Sequence, residues 1–168
     1  MTPSLGNPAV CASIEGLLDG AGVAWERLRH PPLGAANSSA NAAEVRGTPL
    51  RIGGKALVLK ADKRFVVATF SAAARLDSGA FRRALGLRKL RFATRVELQE
   101  LTGLVPGCVP PFGRPVLDLP LYADRSLLEN ARIAFTPGLL DRSIVMDSAD
   151  WRSVAQPEVR SFTLPVDG

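Results

Sequence analysis

Histidine is almost absent from this sequence. His30 stands alone, and only two cysteines accompany it, Cys11 and Cys108, far apart and in no CxxC. A structural zinc site cannot be assembled from that set. Any Ser-His-Asp or Cys-His machinery would have to use His30, which precedes two prolines and reads as a loop or packing residue. The two cysteines have no disulfide framework around them, so a reducing, cytoplasmic setting is expected. Cys108, between Gly107 and Val109, reads as a small buried hydrophobe before it reads as a nucleophile. Long hydrophobic runs are missing too, and none approaches the about 18–20 residues that span a bilayer. The first twenty residues carry Glu15 and Asp19 and no basic segment ahead of an apolar run, so no secretory leader is expected. GxGxxG, HExxH, GxSxG and acidic clusters at metal spacing are all lacking. Gly53-Gly54-Lys55 falls short of a P-loop, because Pro49 stands at its first glycine and Ala56 at its Ser/Thr. Neither a cofactor nor a metal nor a membrane partner is expected.

What is there is the composition of a globular protein, 168 residues with 46% hydrophobic and 22% charged positions. One domain over residues 1–168 is expected, large enough to fold without a staple. Asn7-Pro8 starts a helix whose apolar face is Val10, Ile14, Leu17 and Leu18, closed by Gly20 and Gly22. A strand follows from Val23 to Leu28. Asn41 and Glu44 have capping-box spacing for a short helix to Arg46. Strands 56–60 and 65–70 flank 61–64 as a hairpin. A helix is expected over 78–85, a strand over 88–93, and a helix opened by the Thr94/Glu97 capping box and ended by Gly103. Residues 104–115 hold four prolines and two glycines and read as an ordered loop. Short strands are expected at 116–119, 121–124, 132–135 and 143–147, with Ser148 capping a last helix to about Ala155. The pattern is α+β: a mixed, mostly antiparallel sheet or barrel-like core surrounded by helices.

The net charge of +5 is concentrated. Between Arg75 and Arg95 lie Arg75, Arg82, Arg83, Arg88, Lys89, Arg91 and Arg95 against a single acid, Asp77. Arginine's planar fork suits phosphate, so the segment reads either as a nucleic-acid surface or as a solvated face. Lys55 follows two glycines at the mouth of a strand, where a lysine can hold phosphate or a developing oxyanion.

Four segments occur in order: Gly54-Lys55-Ala56-Leu57-Val58-Leu59, residues 85–93, the loop 101–113 and Ile133-Ala134-Phe135-Thr136-Pro137-Gly138. Together they resemble the YbaK / prolyl-tRNA-synthetase-associated domain family, with Thr102-Gly103 … Pro110-Pro111-Phe112-Gly113 as the strongest part. The resemblance implies a trans-editing aminoacyl-tRNA deacylase, hydrolysing the ester between a mischarged amino acid and the tRNA 3′ end. It implies Lys55 as the catalytic lysine. Gly54, Gly107, Cys108, Val109, Pro111, Phe112, Gly113, Thr136 and Gly138 are implied to line the pocket for the aminoacyl group and terminal adenosine. A positioned water would attack, helped by a ribose hydroxyl of the substrate, while Lys55 and backbone amides stabilise charge or anchor phosphate. The implied partners are mischarged tRNA, held at Arg82, Arg83, Arg88, Lys89 and Arg91, and an aminoacyl-tRNA synthetase. Two features depart from the family's pattern: Ala56 where relatives carry a polar residue, and Thr136-Pro137 where small or amide residues are common. A module of the same fold that senses an amino acid or binds tRNA or a synthetase without catalysis stands as the alternative.

Overall fold

The computed structural model describes residues 5–33 and 39–165. Helix α1 (Pro8–Ala21) begins with the Asn7 side chain accepting the Ala9 N–H and ends at Gly22 in the left-handed region. Strand β1 (Trp25–Arg29) and helix α2 (Ser39–Arg46) follow, then a 3₁₀ turn, Leu50–Ile52. Strands β2 (Gly54–Ala61), β3 (Arg64–Ser71) and β4 (Ala74–Leu76) lead into helix α3 (Ser78–Leu85), strand β5 (Leu90–Phe92) and helix α4 (Arg95–Thr102). The second half runs β6 (Leu121–Asp124), α5 (Arg125–Leu128), β7 (Arg132–Phe135), β8 (Arg142–Asp147), α6 (Ser148–Ala155), β9 (Glu158–Arg160) and β10 (Thr163–Pro165).

The strands form three sheets, ordered β5-β2-β3-β6-β9, β1-β8-β7 and β10-β4. β2 and β3 are antiparallel over their whole length, whereas β6 runs parallel to both β3 and β9. The sheets are mixed, as expected, and they do not close into a barrel. Alternation along β2 and β3 explains their near-continuous apolar runs. Val58 and Val67 face one core cluster with Ile14, Leu18, Phe112, Phe135 and Trp151, while Leu59, Ala61, Val66, Ala68 and Phe70 face a second with Phe81, Tyr122 and Phe162. A strand covered on both faces loses the polar alternation that marks a half-exposed one.

Several local expectations are corrected. Asn41 lies inside α2, which begins at Ser39, so its spacing to Glu44 does not mark the helix start. Residues 116–119 are turns and not a strand: the Leu117 N–H bonds to Gly113 O and the Leu119 N–H to Leu117 O, burying both leucines without a partner strand. Ser148 is the first residue of α6, and Asp147 holds the cap position without a capping bond because its carboxylate pairs with Arg132 at 3.0 Å. Strands β4, β9 and β10 and the one-turn α5 have no separate signature in the sequence. The chain's end is clasped by Asp124, which accepts the Phe162 N–H (2.6 Å), the Thr163 hydroxyl (2.8 Å) and the Ser126 N–H (2.9 Å).

Candidate active site

The first residues of β2 lie where the large sheet meets the three-stranded one. Gly53 bridges to Ala134, and Gly54 packs so closely on β7 that a Cβ would stand 2.9 Å from Ile133 Cδ1. Glycine here is a requirement of close approach. Between this corner, α2 and the loop after α4 lies a cavity of about 310 Å³. That volume sits at the lower end of small-molecule sites, about 300–1,000 Å³. Its lining contains two cations, Lys55 and Arg46, the hydroxyl-bearing Thr136, and otherwise glycine or apolar residues such as Val109 and Leu140. Among the described residues no carboxylate lines it.

Of the residues named from sequence, Gly54, Lys55, Gly107, Val109 and Thr136 line this cavity. Lys55 is exposed, forms no ion pair among the described residues, and its Nζ lies 6.0 Å from the Phe70 ring centroid. The other five stand behind the wall. Cys108 and Phe112 are buried in the main core, and the Pro111 carbonyl accepts the Trp151 indole N–H at 3.0 Å. Gly113 packs against the Leu119 carbonyl, and Gly138, at φ 91, packs against Val10 of α1. Burial pushes the Cys108 thiol above its ordinary range, outweighing the Val105 N–H that donates to Sγ at 3.4 Å, which disfavours a thiolate nucleophile there.

Arg46 was not singled out by its local sequence, where it only ends a short helix before Gly47. In the fold its Nε–H donates to Ser143 Oγ (2.7 Å) and its Nη2–H to Thr136 Oγ1 (2.8 Å). His30 Nε2 lies 2.9 Å from the same Ser143 Oγ, and His30 Nδ1 lies 2.9 Å from the Pro31 carbonyl. A carbonyl only accepts, so in the neutral ring Nδ1 carries the proton and Nε2 accepts from Ser143. Burial lowers the Arg46 guanidinium from 12.5 to about 10, and no carboxylate among the described residues pairs with it. It remains a cation at neutral pH.

The sequence-named cations Arg82, Arg88, Lys89 and Arg91 lie elsewhere. With Lys60, Lys63 and Arg64 they line an open cleft of about 1210 Å³ between the β2–β3 turn and the segment joining α3 to β5. Arg83 is exposed on α3 outside that lining. Asp62, the one acid among the described residues of the cleft, accepts the backbone N–H groups of Arg88 (3.0 Å) and Lys89 (2.8 Å) and so ties the two walls together. Arg91 is engaged by Glu97 through two bonds, 2.7 and 2.9 Å. Among the described residues no helix is long and apolar enough to cross a membrane, and no group of three His, Cys, Asp or Glu is arranged to hold a metal ion.

The model of the aminoacyl-tRNA editing domain matches residues 34–154. The chain belongs to the aminoacyl-tRNA editing domain family. Within that family it is 35% identical over 152 residues to the multifunctional Ser/Thr-tRNA deacylase ProXp-y of Escherichia coli K12, covering 87% of this chain and 88% of that protein. The same figures hold for the protein of that name in Escherichia coli O157:H7. A crystal structure assigned as a trans-editing enzyme for prolyl tRNA synthetase superposes with a TM-score of 0.78 at 26% identity, over 94% of this chain and 98% of the other. A scaffold protein solved in an epitope-grafting design study shares the fold at 22% identity, with a TM-score of 0.78.

Proposed function

We propose that this protein is an aminoacyl-tRNA deacylase that hydrolyses the ester of mischarged tRNA, with the 310 Å³ cavity at the start of β2 as its active site. The observation that carries the reading is the pairing of Lys55 and Arg46 with close-packed glycines in a cavity that no carboxylate among the described residues lines. An ester needs no protein nucleophile if a water is positioned and the developing oxyanion is met by fixed donors. Water adds to the carbonyl carbon, and the carbonyl pair moves onto oxygen. The tetrahedral intermediate then breaks its bond to the ribose oxygen, which takes the proton from the water. The products are the free amino acid and uncharged tRNA. A cavity lined by cations disfavours the substrate's ammonium group and favours its carbonyl or a phosphate. Lys55, at the exposed mouth, anchors phosphate. Of the nine substrate-binding residues named from sequence, those in the lining act by direct contact. Cys108, Pro111, Phe112, Gly113 and Gly138 act by shaping the wall from behind.

The basic cleft is proposed to hold the tRNA backbone. Lys55 and Lys60 are five positions apart on β2, and a strand rises about 3.4 Å per residue, so cleft and ester are separated by about 17 Å. A single-stranded 3′ terminus reaching into the cavity from a duplex seated in the cleft spans such a gap. The E. coli relative's activity on Ser/Thr-tRNA supports seryl and threonyl esters as the first substrates to try. Docking on a synthetase is proposed on the resemblance alone.

The test is deacylation of a panel of correctly and incorrectly charged tRNAs by wild type and Lys55→Ala. Hydrolysis of a few species, lost at sub-saturating tRNA in a variant that melts at the wild-type temperature, is the expected result. Tight tRNA binding with no turnover anywhere in the panel would instead make the protein a binding module.

A further inference from the structure

We infer that Arg46 is a second catalytic residue, the side-chain donor that meets the ester oxyanion. This rests on the deacylase reading and deepens it by separating the work of the two cations in the cavity. An arginine drawn partly out of water, as the half-buried Arg46 is, is ordinarily paired with a carboxylate, because an unpaired charge away from water is costly. Arg46 has no such partner among the described residues and is instead held by two neutral oxygens, Ser143 Oγ and Thr136 Oγ1. Those hydroxyls are themselves fixed, since Ser143 is fully buried, Thr136 is nearly so, and His30 Nε2 accepts from Ser143. The two bonds use Nε and one N–H of Nη2, and among the described residues no bond engages Nη1. A Cβ built on Gly53 would lie 4.0 Å from that Nη1, so this edge runs alongside Gly53, which lines the cavity with Gly54 and Lys55.

This arrangement suits charge that forms during the reaction better than charge already present. A donor held in place, partly stripped of water and lacking a counter-ion, gains most when negative charge develops beside it, and it needs no reorganisation at that moment. Lys55 is exposed and flexible, which suits anchoring of a phosphate by a point charge. Arg46 therefore contributes chiefly to kcat and Lys55 chiefly to KM. Ser143 is a positioning residue acting through Arg46.

The experiment measures kcat, KM and melting temperature for wild type, Arg46→Ala, Arg46→Lys and Ser143→Ala on tRNAs that wild type hydrolyses carrying hydroxyl-bearing and hydroxyl-free aminoacyl groups, with and without added guanidinium ion at millimolar, non-denaturing concentration. Expected is a fall in kcat of about 10²–10³-fold for Arg46→Ala with KM little changed, the loss typical of one oxyanion donor. Added guanidinium should restore part of it. Arg46→Lys keeps the charge but cannot span both hydroxyls, so its kcat should fall between the two. Ser143→Ala should fold normally and lower kcat without guanidinium rescue, because the guanidinium is still present. An unchanged kcat in Arg46→Ala with a lowered melting temperature would reduce Arg46 to a tie between α2 and the sheet. A loss confined to hydroxyl-bearing aminoacyl groups would make it a reader of the amino-acid side chain and overturn the oxyanion assignment. An inactive wild type brings down the deacylase reading itself, whereas an active Arg46→Ala brings down only this inference.

Discussion

Gly138 illustrates how single residues build the cavity from behind. Its φ of 91 lies where side chains are strained, its carbonyl accepts the Asn7 N–H at 2.9 Å, and an added Cβ would meet Val10 Cγ1 at 2.8 Å. Gly138→Ala is expected to destabilise the protein by about 1–3 kcal/mol through strain and overpacking, read in a urea melt. Activity should fall with it, because the same segment carries Thr136 to its bond with Arg46. Trp151, fully buried with its indole N–H on the Pro111 carbonyl, supports the proline-rich loop from the other side. Trp151→Ala should cost about 3–5 kcal/mol, visible as a lowered urea midpoint.

At the scale of elements, α4 shows a capping box in full. Thr94 Oγ1 accepts the Glu97 N–H at 3.1 Å, and Glu97 accepts the Thr94 N–H at 2.8 Å. Glu97 also holds Arg91, and the bonds from Arg91 and then Thr94 lower its carboxyl from 4.5 to about 2. A depressed carboxyl contributes stability above its unfolded value and loses it as pH falls through the folded one. Stability from this group should therefore be present above pH 4.5 and decline toward pH 2. Glu97→Gln should flatten that part of the acid melt. Thr94→Ala should cost about 1 kcal/mol by removing the cap. The hairpin β2–β3 works at the same scale, because one continuous pair of strands carries Lys55 at one end and the turn of the basic cleft at the other.

Across the whole molecule, the clasp at Asp124 joins β6, α5 and the terminal strands. Burial pushes this carboxyl up, but bonds from Ser126, Phe162 and Thr163 outweigh it and hold the group below 3.8. Its stabilisation is thus present above pH 3.8 and is lost as pH drops through the lower folded value. Asp124→Ala leaves buried donors unpaired and should cost about 3 kcal/mol in a denaturant melt at neutral pH. The separation of cleft and cavity makes a further prediction at this scale. Arg88→Glu should raise KM for aminoacyl-tRNA and reduce the salt dependence of binding, while hydrolysis of a short aminoacyl-nucleoside ester stays as in wild type.

Local chemistry was enough for α1, α3, α4 and the β2–β3 hairpin, because caps, left-handed glycines and apolar runs are written in neighbouring residues. It also singled out Lys55 and Gly54 as candidates, and the resemblance carried by the ordered motifs named the family whose model matches residues 34–154. It did not reach the strands β4, β9 and β10, which are short and exist through pairing with distant partners. Nor did it separate lining from wall among residues 107–113, since which side of a loop faces a cavity depends on what packs behind it. Arg46 is the clearest case. Its partners Thr136 and Ser143 lie 90 and 97 positions away, and only the tertiary structure turns an ordinary arginine into a cation held by two hydroxyls in the lining that also holds Lys55.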